Sequence, residues 1–247
     1  PLMLNLPFSG FTEEQQAEIR SLAVAALSRY RDGGCVPAAA PGDAQLLQML
    51  EFTVGGAGMA DYLPLLEEEL AYKGEDRRAP QWRADSLAPT TTLSAVIIGA
   101  GMSGILAGHR LQQAGVPFTI LDKNDDVGGT WYEAAYPGCR VDNPNHNYSY
   151  SFAQRHDWPF HYSSQHVLHD YFGQCADAFD VRRHVQFGCT VRQSVWSDDD
   201  QTWTVTYDDE AGAQRTITAN IAINPVGQLN RPKFPPEIEG FGAISGE

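Results

Sequence analysis

From Thr12 onward, apolar residues recur at a helical period. Ile19, Leu22, Ala23, Ala26, Leu27 and Tyr30 share one face before Gly33-Gly34 interrupts the pattern. Thr12 and Gln15 have the spacing of a capping box, which places the helix start there. A second helix is predicted after Asp43, carrying Leu46, Leu47, Leu50 and Phe52. A third follows Asp61, with Leu65, Leu66 and Leu70 on one side and Glu67, Glu68 and Glu69 as a solvated face. Residues 73–92, rich in charge, Pro and Ala, read as a linker. Residues 1–92 are therefore expected to form an all-helical N-terminal extension. Each of its helices has one apolar face to bury, against the following domain or in a homodimer.

The period changes at residue 94. Short β-prone runs now alternate with helical stretches, the pattern of an α/β fold with a parallel sheet. Ala95 to Ile98 forms the first strand, and a helix follows with Ile105, Leu106 and Leu111 on its face and Gly115 at its close. Phe118 to Leu121 is the second strand. Ser164 is placed to cap a helix bearing Val167, Leu168, Tyr171, Phe172, Cys175 and Phe179. Strand candidates come next at 185–191, 202–207 and 214–218, the last two joined by the polar turn Asp208 to Gly212. A further strand, Ile221 to Ile223, leads to Pro225-Val226-Gly227-Gln228. The expected architecture over 93–247 is a Rossmann-like dinucleotide domain with a β-meander insertion.

Composition narrows the partners. The chain of 247 residues carries 17 Lys and Arg against 31 Asp and Glu, a formal charge of −14 that argues against nucleic-acid or anionic-membrane surfaces. No apolar run has the length of a membrane-spanning helix. Cys35, Cys139, Cys175 and Cys189 have neither C-x-x-C nor zinc spacing, so reduced thiols and a cytoplasmic setting are expected. His161, His166 and His169 lack acid or cysteine partners at ligand spacing, and no metal is expected.

The chemistry begins at Gly99-Ala100-Gly101-Met102-Ser103-Gly104. A G-x-G-x-x-G that follows a strand and opens a helix suits a dinucleotide pyrophosphate. Gly99 allows the tight turn, Gly101 the close approach of backbone to phosphate, and Gly104 close helix–strand packing. The free N–H groups of the first helical turn then face the anion. Asp122 ends the second strand eighteen residues after Gly104, placed to accept from ribose hydroxyls. An acid there disfavours a 2′-phosphate, so FAD or NAD fits better than NADP. Further on, Gly128-Gly129 exposes backbone N–H groups beside Thr130 and the aromatic Trp131. Arg140 and Asp142 form a charged R-x-D next to the Gly138 turn, and burying that pair would require partners.

The runs Val127-Gly128-Gly129-Thr130-Trp131, Tyr136-Pro137-Gly138-Cys139-Arg140-Val141-Asp142 and Tyr148-Ser149-Tyr150 resemble the flavin-dependent Baeyer–Villiger monooxygenases. The resemblance continues through Trp158, Tyr162, Ser164 and Gln165, then Thr190-Val191 and Gly227-Gln228-Leu229. The helical extension, including Gly74-Glu75-Asp76 through Arg83, is similar to that of the 4-hydroxyacetophenone monooxygenase branch. The resemblance implies an FAD- and NADPH-dependent enzyme that uses O2, by way of a peroxyflavin, to convert a ketone (an aryl ketone in that branch) to an ester or lactone. It implies FAD contacts from Gly99, Gly101, Met102, Ser103, Gly104, Asp122, Gly128, Gly129, Thr130, Trp131, Asp142, Tyr148 and Val191. Arg140, Val141 and Asp142 would also face the nicotinamide, and Asp142 would orient a catalytic arginine that lies outside this chain.

Two departures qualify the match. Ile244-Ser245-Gly246 would open the family's F-x-G-x-x-x-H-x-x-x-W fingerprint with Ile in place of Phe, and no second G-x-G-x-x-G is present. The expectation is an N-terminal fragment without the NADPH domain, inactive in isolation. Two alternatives stay open: a flavin monooxygenase acting on nitrogen or sulfur, and a non-catalytic FAD-binding or dimerising module.

Overall fold

The computed structural model describes residues 11–36, 39–71, 76–87, 90 and 92–228. The chain divides into two compact units, residues 1–64 and 65–247. In the first, α1 (Glu13–Asp32) opens with the expected capping box. Thr12 Oγ1 accepts from the Gln15 N–H at 3.3 Å, and Gln15 Oε1 accepts from the Thr12 N–H at 2.9 Å. This helix buries none of its side chains, and Leu22 and Leu27 are 63% and 67% exposed. Helix α2 (Asp43–Val54) ends at Gly55, whose left-handed conformation (φ 72°) closes it. A 3-10 turn, Ala60–Tyr62, runs into α3 (Leu63–Leu70), where the boundary between the units falls.

In the second unit the glutamates of α3 are paired rather than simply solvated: Glu67 accepts from Arg77 at 3.0 Å, and Glu68 and Glu69 both bond Arg78. Residues 76–87, expected as a linker, are likewise held. Arg110 grips Asp76 with both guanidinium nitrogens and lies 4.5 Å above the Phe152 ring. Burial pushes the Asp76 carboxyl up, but Arg110 more than offsets this and leaves it below its ordinary value. Arg83 Nη1 donates to Gln113 O at 3.3 Å, at the negative end of the next long helix. The short α4 (Ala84–Leu87) starts where the Ala84 N–H bonds Ala114 O at 2.8 Å.

The core is a four-stranded parallel sheet in which β3 (Val185–Gln186), β2, β1 and β7 follow one another in that order, with β1 (Ala95–Ile98) on the inside. It pairs with β2 (Phe118–Leu121) in the register Ala95↔Phe118 and with β7 (Ile221–Ile223) in the register Ala95↔Ile221. Strand β1 is buried on both faces, as its unbroken apolar run requires. Ala95 and Ile97 face α5 (Met102–Gln113) and α7 (Gln165–Ala178), packing with Ile105, Leu168 and Phe172. Val96 and Leu121 face the other way, towards Val205, Tyr207 and Ala219. Those three belong to an antiparallel sheet of β4 (Thr190–Ser197), β5 (Thr202–Asp208) and β6 (Gln214–Ala219), the expected meander.

The structure corrects several sequence expectations. The single strand expected at 185–191 is two. Val185–Gln186 (β3) ends the parallel sheet, and β4 starts the meander after Gly188 turns the chain at φ 65°. Ser164 occupies the N-cap of α7 but makes no cap bond, its hydroxyl lying 3.2 Å from His166 Nδ1 instead. A helix not read from sequence, α6 (Thr130–Glu133), follows the second glycine turn. The segment between α6 and α7 holds only a 3-10 turn, Ser151–Ala153, and an isolated bridge of Arg140 to Ser164, and is organised around Asn145, which is fully buried. Its Nδ2 donates to Phe160 O at 2.6 Å and Ser163 Oγ at 2.7 Å, and its Oδ1 accepts from the Ser163 N–H at 2.9 Å.

Asn145→Ala leaves those groups buried without partners and is expected to destabilise the second unit by about 3 kcal/mol. Urea unfolding should show a lower midpoint at unchanged slope.

Candidate functional site

The carboxyl ends of β1 and β2 bring two glycine turns together. The first, Gly99 to Gly104, joins β1 to α5. Gly99 has φ 110°, reserved for glycine, and Gly104 is pressed against it: a Cβ at Gly104 would stand 1.9 Å from Gly99 O. The role read for Gly104 is thus visible as a steric requirement. Gly101 is the N-cap of α5 in ordinary extended conformation, and no side chain caps the helix. The N–H groups of Met102, Ser103 and Gly104 therefore point from the positive end of a twelve-residue helix with no side-chain oxygen to receive them.

The second turn, Gly128-Gly129, lies against the first. The Gly128 N–H donates to Ala100 O at 3.0 Å. A Cβ at Gly129 would come within 2.9 Å of Gly101 Cα, and one at Gly101 within 3.5 Å of Gly129 Cα. Backbone therefore packs directly on backbone, at a contact that no side chain could enter. Two runs of peptide groups are thereby held side by side at the start of α5, which suits an extended ligand lying along them and bound by N–H groups.

Asp122 lies against the first glycine turn at the end of β2. It is 5% exposed, with Oδ2 accepting from the Ala100 N–H at 2.5 Å and Oδ1 from the Asn124 N–H at 2.8 Å. Burial raises its pKa above the ordinary carboxylate value, although both amides pull it down. Two of about four acceptor positions are used, which leaves capacity for ligand hydroxyls. The Cys189 N–H bonds Asp122 O at 2.8 Å, so the start of β4, with half-buried Val191, is tied to the same strand end.

Trp131, on α6, is buried. Its Nε1 donates to Tyr148 Oη at 3.2 Å, and the two rings meet edge to face at 5.6 Å. Thr130 is exposed beside it. Gln165 Nε2 bonds Trp131 O, and its N–H bonds Cys139 O at 3.0 Å, tethering Arg140–Asp142 to the same region. Arg140 and Asp142 are neither buried nor paired, unlike the buried pair weighed from sequence. The extended segment turns Val141 inward, its N–H on Ser163 O at 3.0 Å, and its neighbours outward. Arg140 Nη1 donates to Tyr162 O at 3.0 Å, and Asp142 has no side-chain bond among the described residues. Ile244-Ser245-Gly246, Leu229 and Gly74-Glu75 lie outside the described residues.

Other supports were not assigned a role from sequence. Tyr150 donates to Met102 O at 2.5 Å, and its own N–H bonds Tyr171 Oη at 2.9 Å. Tyr171 in turn donates to Ala153 O at 3.0 Å. Burial raises the pKa of both phenols, so they remain neutral donors. The same burial pushes the Cys175 thiol up to about 11. Among the described residues no cluster of His, Cys, Asp or Glu is placed to hold a metal, and no helix is long and apolar enough to cross a membrane.

Residues 97–174 match the family described as NAD(P)-binding Rossmann-like domain. A monooxygenase of Sinorhizobium fredii, y4iD, is 30% identical over 226 residues, covering 92% of this chain and 33% of that protein. The Baeyer–Villiger monooxygenase of Streptomyces coelicolor is 34% identical over 61% of this chain and 28% of its own length. A crystal structure of OTEMO in complex with FAD and NADP superposes with a TM-score of 0.55 at 36% identity, covering 63% of this chain and 29% of that one. The chain spans about a third of the length of these relatives or less. By sequence and by fold together, it is similar to the flavin-binding monooxygenases of the Baeyer–Villiger type.

Proposed function

We propose that this chain supplies the FAD-binding section of an FAD- and NADPH-dependent monooxygenase that converts a ketone to an ester or lactone. Residues 1–92 would be its helical extension and 93–247 the first section of its FAD domain. The observation that carries the reading is the side-chain-free contact of the two glycine turns, Gly101 on Gly129, beside the uncapped start of α5. The relative whose solved structure holds FAD and NADP supports the choice of cofactors.

In this reading the N–H groups of Met102, Ser103 and Gly104 receive the pyrophosphate, with Gly99 and Gly101 letting it approach. Asp122 accepts the adenosine ribose hydroxyls, and Val191 flanks the adenosine end. Gly128, Gly129 and Thr130 run along the flavin, walled by Trp131 and Tyr148. When bound and reduced by NADPH, FAD supplies the oxygen-transfer chemistry. Arg140 faces the nicotinamide, and Val141, its side chain turned into the core, does so only through its backbone. The exposed Asp142 carboxylate holds an arginine contributed by sequence outside this chain, acting as a positioning residue. The substrate is a ketone, aryl in the branch whose extension this one resembles. The exposed apolar face of α1 suits a homodimer.

The isolated chain is expected to bind FAD, read as quenching of flavin fluorescence, and to consume no NADPH. Steady NADPH turnover by the isolated chain would contradict the assignment. In the full-length protein an aryl ketone should give ester, while amine or sulfide oxidation in its place would favour the nitrogen- or sulfur-oxygenating class.

Ribose hydroxyls donating to Asp122 favour its ionised form, so FAD binding lowers a carboxyl pKa that burial has raised. Below the raised value, binding must release a proton, and affinity should fall by up to about tenfold per pH unit. Asp122→Asn should weaken FAD binding and flatten that pH dependence in a titration from about pH 7 to 4. Asp142→Ala in the full-length protein should retain FAD yet lose ester formation. An unchanged ester yield would remove Asp142 from the mechanism.

A further inference from the structure

The second glycine turn is held from beneath by a charged cluster that the sequence motifs do not include. Asp126, just ahead of the turn, accepts at Oδ1 from the Val127 N–H at 2.7 Å and from Arg182 Nη1. Its Oδ2 lies 3.6 Å from His169 Nε2, and the same nitrogen is 3.1 Å from Val127 O. A carbonyl and a carboxylate facing one ring nitrogen both call for a proton there, which selects the Nε2–H form. The ring also lies flush against the turn: a Cβ at Gly128 would meet His169 Cδ2 at 2.8 Å. Arg182 is fixed to α7 through Asp177 Oδ1 at 2.5 Å and Gly173 O at 3.5 Å. Helix α7 therefore grips Asp126 to Gly128 from one side, while the Gly128 N–H bonds Ala100 O on the other.

We propose that His169 is a positioning residue for the cofactor cleft: its Nε2–H, by holding the Val127 carbonyl, sets the seating of Gly128-Gly129 against Gly101. The cofactor part of this inference rests on the FAD assignment above. An apolar side chain at this position would leave the Val127 carbonyl without its donor and the Asp126 carboxylate facing hydrocarbon. Either change frees the turn to shift by the few tenths of an ångström that the contact between the two glycine turns does not tolerate.

The test uses His169→Phe, which keeps a flat ring on Gly128 without an N–H, and His169→Gln, which keeps a donor without the ring. Both are made in the protein expressed at full length. Hydrogen exchange of the FAD-free protein should show the amides from Gly128 to Trp131 opening about tenfold faster in His169→Phe, with β1 and the centre of α5 unchanged. The FAD dissociation constant should rise about tenfold in parallel, and His169→Gln should bring both back to within about threefold of wild type. Unchanged exchange and affinity in His169→Phe would overturn the proposal. So would a His169→Gln protein as impaired as His169→Phe, because ring packing rather than the N–H would then be responsible. If His169→Phe does not fold, His169→Gln decides alone, and a tenfold loss of affinity overturns the proposal. A wild-type protein that binds no FAD would refute the cofactor assignment, while exchange at Gly128 would still decide the role of His169.

Discussion

The distance between the start of α5 and the end of β1 is set by one contact, Gly104 against the carbonyl of Gly99. With no side chain at either position the helix descends onto the strand, and its first-turn amides reach the cleft at the sheet's carboxyl edge. A single added carbon would stand 1.9 Å from that oxygen and lift the helix end away. The seating of Gly128-Gly129 depends on the same geometry, because its hydrogen bond is to Ala100, inside the first turn.

Asp122 shows how the cleft tolerates a buried acid. Its two amide partners come from the glycine loop and from the turn just after β2, so the carboxylate braces the loop even without a ligand. Burial still raises its pKa, so its set of hydrogen bonds gains from further donors. A ligand offering hydroxyl donors completes it. A similar economy appears at Tyr150 and Tyr171, whose neutral hydroxyls link α5, the irregular segment and α7 in one chain of bonds.

The glycines and the strand-end acid were legible in the sequence because each is a steric or electrostatic necessity at a set spacing. The strand–helix–strand order around them was legible for the same reason. The break between β3 and β4 was not, since the apolar run crosses it and only Gly188 marks the turn. Asn145, Gln165 and His169 were also missed as supports. Their partners are backbone groups 18, 34 and 42 residues away, and no pattern of side chains announces a peptide N–H or carbonyl. The exposure of Arg140 and Asp142 follows from the inward turn of Val141, which charge content alone does not reveal.

The bonding of Asp76 and Arg83 to α5 bears on where this protein can be cut. Arg110 owes its closest carboxylate to Asp76, and the last turn of α5 receives Arg83 at the Gln113 carbonyl. A truncation at the first strand would strip both from the helix whose other end carries the glycine loop. The natural edge for a minimal cofactor-binding piece therefore lies ahead of Asp76, and a graft of this module onto another protein would need to carry that strap with it.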